Sequence, residues 1–113
     1  MKKVLLLCLA IMACTVNAPA NAQIAPNPRE CIMSGIIVLG GDWCPPCRRL
    51  RTWLNERGIQ YEAYDIRANP KARDIYWLIV RQIQNEGVPM IIFPDMEVMI
   101  GFEVGYMSRK TCR

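Results

Sequence analysis

The chain has 113 residues, enough for one domain and short for two, with 52% hydrophobic and 21% charged residues and no repeat or low-complexity tract. Its formal net charge is +4 at pH 7, of which Lys2 and Lys3 supply two; the +2 left on residues 23–113 is too little, and too scattered, to argue for nucleic acid. There is no histidine.

Lys2-Lys3 is followed by the apolar run Val4 to Ala13, then by a small and polar stretch ending Ala20-Asn21-Ala22. That layout is expected of a secretory signal with an Ala-x-Ala cleavage site. A membrane span would need about 20 apolar residues, so a permanent anchor is not expected. A second reading, Ile11-Met12-Ala13-Cys14 as a lipoprotein box, would tether the protein to a membrane through lipidated Cys14. The expected organisation is a signal peptide over residues 1–22, an extended lead-in over 23–33 containing Pro26 and Pro28, and a domain over 34–113. Export, most simply to a bacterial periplasm, would leave Cys31, Cys44, Cys47 and Cys112 in an oxidising compartment, where disulfides persist.

Ile36 to Leu39 is a short unbroken apolar run, expected as a strand buried on both faces. From Pro45 to Glu56 the period becomes helical, with Cys47, Leu50, Trp53 and Leu54 on one face and Gly58 as terminator; Trp53 is core in this reading. Ile59 to Ile66 alternates as a second strand. Asn69-Pro70 starts a helix, Asn as N-cap and Pro at the first position. It is expected to run to about Asn85, with Ile75, Leu78, Ile79 and Ile83 inward and Gly87 ending it. Val88 to Phe93 is a third strand, Pro94-Asp95 a turn, Glu97 to Phe102 a fourth strand, and Val104 to Cys112 a short last helix. The order is β-α-β-α-β-β-α, an α/β class. The first two strands, joined by a helical crossover, should be parallel and the last two should form a hairpin.

Chemistry concentrates in Gly40-Gly41-Asp42-Trp43-Cys44-Pro45-Pro46-Cys47-Arg48-Arg49. A strand turning through glycines into a Cys-x-x-Cys at a helix start places Cys44 where unpaired N–H groups and the helix dipole favour thiolate over thiol. Arg48 and Arg49 could add to this, although exposed charges are screened. Cys47 is then close enough to close a disulfide or to resolve a mixed one. Structural zinc asks for four Cys or His ligands, and this chain has neither histidine nor a second Cys-x-x-Cys, which leaves a redox dithiol as the favoured reading. Pro45 and Pro46 carry no backbone N–H, so two donors that could face the Cys44 sulfur are missing. A less stabilised thiolate means a lower potential, expected of a reductant or isomerase rather than a disulfide donor.

The strand, Trp43-Cys44-Pro45-Pro46-Cys47, helix, strand, helix, Gly87-Val88-Pro89, hairpin and helix together resemble the thioredoxin fold over about residues 34–112. The brevity, with no extra strand and helix in front of the first strand, is most similar to glutaredoxins. The resemblance implies a four-stranded mixed sheet flanked by helices, Cys44 as attacking thiolate, Cys47 as resolving thiol, and a cis Pro89 beside the dithiol. It also implies a substrate groove bordered by Trp43, Val88 and Pro89, where the Val88 backbone pairs with an extended segment as a strand would. Two departures stand out. Val38 occupies the place of the buried acid of thioredoxins, and Gly101-Phe102-Glu103 stands where glutaredoxins carry a glutathione-holding Gly-Gly-x-Asp. Glutathione use is therefore doubtful. The family layout brings Cys31 and Cys112 together at the pole away from the dithiol, implying a structural disulfide; free thiols or an intermolecular bridge are the alternatives. The expected function is an exported thiol–disulfide oxidoreductase acting on protein or small-thiol disulfides, with no metal or organic cofactor and an unidentified redox partner. The competing class is a non-catalytic binding or assembly module whose dithiol is vestigial or holds a metal or iron–sulfur cluster.

Overall fold

The computed structural model describes residues 30–113; the expected signal peptide, Cys14 and all but the end of the lead-in lie outside them. The elements are β1 Ile36–Gly40, α1 Pro45–Glu56, β2 Tyr61–Asp65, α2 Pro70–Ile83, β3 Met90–Ile92, β4 Val98–Ile100 and α3 Val104–Thr111. They form one four-stranded sheet in the order β2-β1-β3-β4. β1 and β2 are parallel, with Ile36 opposite Tyr61 and Gly40 opposite Asp65. β1 with β3, and β3 with β4, are antiparallel. This is the mixed sheet of a thioredoxin-like fold.

Strand alternation divides the core in two. Ile36, Val38, Ile91 and Phe93 meet Leu50, Trp53 and Leu54 of α1 and Met107 of α3 on one face. Leu39 and Met90 meet Ala72 and Tyr76 of α2 on the other. The inward face of α1 is the expected one, and Gly58, at φ +66°, closes the turn after it. Trp53 packs edge-on against Phe102, and its buried indole N–H has no acceptor among the described residues.

The strands are shorter than the alternation suggested. β2 begins at Tyr61 rather than Ile59, and β3 and β4 have three residues each. β2 is an edge strand with Ala63 and Tyr64 exposed, so its alternation marks one half-covered face only. The inward face expected of α2 is corrected by the structure. Ile75, Leu78 and Ile83 are exposed, while Ala72 and Tyr76 are buried. Two overlapping apolar stripes fit this helix, and a buried hydroxyl decides between them. The Tyr76 hydroxyl accepts the Gly87 N–H at 2.9 Å and donates to the Gly87 carbonyl at 3.3 Å, which turns Tyr76 inward and carries Leu78 outward. The helix also ends earlier than expected, at Ile83, with Gln84 in the left-handed conformation.

The last residues of the lead-in belong to the packed domain. Ile32 donates its N–H to the Lys110 carbonyl and Met33 accepts from Gln60. Cys31 and Cys112 are joined in a disulfide, Cα atoms 5.3 Å apart, at the end of the molecule where β1 starts. No helix among the described residues is long and apolar enough to cross a membrane.

Candidate functional site

β1 ends at Gly40, and the chain turns through Gly41 to Cys44, whose N–H returns to the Gly41 carbonyl at 3.1 Å. Cys44 is the N-cap of α1, with extended dihedrals, and its sulfur accepts the Cys47 N–H at 3.2 Å. Cys44 and Cys47 are disulfide-bonded, 4% and 1% exposed respectively. An N-cap acceptor takes its hydrogen bonds from the second or third helical N–H, and here those belong to Pro46 and Cys47. The expectation that two donors are missing is therefore corrected to one. Pro45, at the first helical position, would not have faced the sulfur in any case, whereas Pro46 removes a capping donor.

The approach of β1 to the dithiol requires glycine at position 40. A Cβ there would lie 2.5 Å from the Cys47 sulfur. A Cβ on Gly41 would run into the Trp43 indole. A Cβ on Gly40 would also lie 3.8 Å from the Pro89 Cα, so Pro89 stands beside the end of β1. The Val88–Pro89 peptide is cis, and the Pro89 carbonyl accepts the Gly101 N–H at 2.8 Å. Pro89 and the two cysteines thus meet at one end of the sheet, while Cys31 and Cys112 lie at the other.

Trp43 stands beside the dithiol in a fixed orientation. Its indole N–H donates to Asp65 Oδ1 at 3.0 Å, and the Arg67 guanidinium lies 3.7 Å from the ring centroid. The same Asp65 oxygen accepts the N–H groups of Arg67 and Ala68. The Trp43 hydrogen bond, with that from the Arg67 backbone, holds the Asp65 carboxyl below the ordinary carboxylate range. Asp42 in the loop pairs with Arg51, and its carbonyl accepts from the Arg48 guanidinium at 2.6 Å. Arg48 is thus used to brace the loop, and Arg49 is exposed. Asp65, Arg67 and Asp42 were not singled out from the sequence. The available signal was the parallel pairing of β1 with β2, which sets the carboxyl end of β2 beside the Cys-x-x-Cys turn.

Val38 is buried, 2% exposed, and no carboxylate is buried among the described residues. A polar cleft of about 220 Å³ lies behind Cys47, lined by Gly40, Asp42, Arg51 and Asp65 among others. Glu103 is the N-cap of α3, and its side chain makes no capping hydrogen bond. Among the described residues no three His, Cys, Asp or Glu side chains gather in a metal-binding group.

Comparison with known proteins agrees with this geometry. The family model described as Glutaredoxin matches residues 33–97, more than half of the chain. The Gene 56 protein of Mycobacterium phage D29 is 27% identical over 60 residues, which span 53% of this chain and 63% of the phage protein. Two solved structures share the fold. The thioredoxin-like protein BC3987 matches with a TM-score of 0.57 and 24% identity, covering 67% of this chain and 99% of that one. The glutaredoxin (grx-1) from Archaeoglobus fulgidus matches with a TM-score of 0.58 and 18% identity, covering 72% and 88%. A dithiol capping a helix at the end of a mixed sheet, within a match of this extent, identifies the chain as a member of the glutaredoxin family of thiol–disulfide oxidoreductases.

Proposed function

We propose that the protein is an exported thiol–disulfide oxidoreductase working as a reductant or isomerase through Cys44 and Cys47. The observation that carries exchange through Cys44 is the placement of its sulfur at the N-cap of α1, where the Cys47 N–H and the helix dipole favour a thiolate. The direction rests on Pro46, which leaves that thiolate one capping donor short and so lowers the potential towards that of a reductant. In the reduced protein the Cys44 thiolate attacks one sulfur of a substrate disulfide. A Cys44–substrate bond forms and the other substrate sulfur leaves as a thiolate. Cys47, losing its proton, attacks the Cys44 sulfur, the mixed bond breaks, and the second substrate sulfur leaves. Two electrons pass from the reduced pair to the substrate; the Cys47 proton goes to a released thiolate or to solvent, and the other released thiolate takes its proton from solvent, where Cys44 left its own.

Trp43, Val88 and Pro89 border the groove in this reading. Val88 offers backbone groups to an extended substrate segment, as an edge strand would. One face of the Trp43 ring is covered by Arg67, so substrate contact falls to its other face or edge. Glutathione is not assigned as the substrate, because Gly101-Phe102-Glu103 replaces the family's glutathione-holding element. Export follows from the N-terminal segment, and the electron source is a separate partner.

The test is the reduction potential of the Cys44–Cys47 pair, measured by equilibration with glutathione redox buffers. A value near −200 mV or below is expected of a reductant, and a value near −120 mV would make the protein a disulfide donor. A Cys47→Ser variant should accumulate mixed disulfides through Cys44. Failure to trap any disulfide substrate would leave a binding module instead.

A further inference from the structure

The outer face of α2 carries apolar side chains that the domain leaves uncovered. Ile75, Trp77 and Leu78 are 40%, 45% and 50% exposed. Single exposed apolar residues are ordinary, but a cluster of large ones on one face marks a contact surface. Lys71, Asp74, Leu78 and Arg81 follow one another at helical spacing along this face, with Trp77 beside them. Asp74 and Arg81 are two turns apart, about 10 Å along the axis. Neither enters an ion pair among the described residues.

We propose that this face of α2 is the contact of a homodimer with a twofold axis passing between Trp77 and Leu78. In an antiparallel pairing Asp74 of each copy opposes Arg81 of the other, and Trp77 opposes Leu78. The surface is self-complementary, as a twofold contact requires. A parallel pairing would set Asp74 against Asp74 and Arg81 against Arg81, and like charges opposed across a contact are unfavourable. An anionic membrane surface would meet Asp74 in the middle of the stripe, and a partner of one charge would leave either Asp74 or Arg81 opposed by its like. A second copy satisfies both. One helix face per copy falls at the small end of specific interfaces, below about 1,200 Å² in total, so the dimer is reversible and concentration-dependent. α1, which carries the dithiol, packs on the opposite face of the sheet, and both active sites stay open in the dimer.

Sedimentation velocity on the purified protein over a wide range of concentration tests this. The wild type is expected to show a reversible monomer–dimer equilibrium. Asp74→Arg or Arg81→Asp alone turns two attractive pairs into repulsive ones and should weaken association by about tenfold or more. The double reversal, Asp74→Arg with Arg81→Asp, should restore it, and Leu78→Asp should abolish it, with far-ultraviolet circular dichroism unchanged throughout. A wild type that is monomeric at every concentration overturns the proposal. So does a dimer indifferent to both reversals, a double variant that fails to re-associate, or a dimer that survives non-reducing denaturing electrophoresis. Monomers that instead bind anionic phospholipid vesicles through this face would also overturn it.

Discussion

The Trp43 indole N–H donates to Asp65 Oδ1 at 3.0 Å, tying the loop that carries the dithiol to the carboxyl end of β2. Because Asp65 is held below the ordinary carboxylate range in the folded protein, its ionised form stabilises the fold. That contribution is complete above the ordinary carboxylate pKa and is lost as pH falls through the lower folded value. An Asp65→Ala variant should therefore melt below the wild type at neutral pH, and the gap should narrow on acidification. Parallel thermal melts across acid pH, with Trp43 fluorescence as the local probe, check this. A gap independent of pH would mean that the ionised carboxylate contributes nothing.

Pro46 sits where a capping N–H would face the Cys44 sulfur. Pro46→Ala supplies that donor. A hydrogen bond to a charged group contributes about 1.5–3 kcal/mol. At about 30 mV per 1.4 kcal/mol, the Cys44–Cys47 couple should become less negative by roughly 30–60 mV. Pro45→Ala should move it much less, since the first helical N–H does not cap. Redox titration of the two variants side by side distinguishes the positions, and equal shifts would contradict the capping geometry.

Gly40 leaves no room for a side chain against the Cys47 sulfur, which a Cβ would meet at 2.5 Å. Gly40→Ala should destabilise the oxidised protein by about 1–3 kcal/mol, the range of overpacking, and slow closure of the Cys44–Cys47 bond. Urea denaturation of the oxidised form and stopped-flow reoxidation measure the two effects. Wild-type values in both would show that β1 can withdraw from the dithiol at little cost.

The Cys31–Cys112 bond closes a loop spanning 81 positions. The chain-entropy model assigns such a closure about 4–5 kcal/mol. Replacing both residues by serine should lower unfolding free energy by up to that amount, while dithiol exchange by the folded fraction is preserved, because this bond lies at the other end of β1. A double variant as stable as the wild type would show that the bond constrains nothing the fold does not already hold.

Much of this protein is set locally and is legible in the chain. The glycines, the Cys-x-x-Cys and the 3.6-residue spacing of Cys47, Leu50 and Leu54 specify a strand turning into a helix capped by a sulfur. Asn69-Pro70 specifies the start of the next helix, and its side chain caps the Ala72 N–H as that motif demands. These signals act within a few residues of one another, so they survive without knowledge of the fold. The rotation of α2 does not, because two apolar stripes share that helix and the choice depends on Gly87, brought to Tyr76 from outside the helix. The union of Trp43 with Asp65 depends in the same way on strand register, and the loss of one capping donor rather than two depends on which helical N–H groups point at the sulfur. Local sequence determined the elements and the reactive pair. Only the tertiary structure decided which faces are buried and which partners surround the dithiol, because those contacts join residues that the sequence keeps apart.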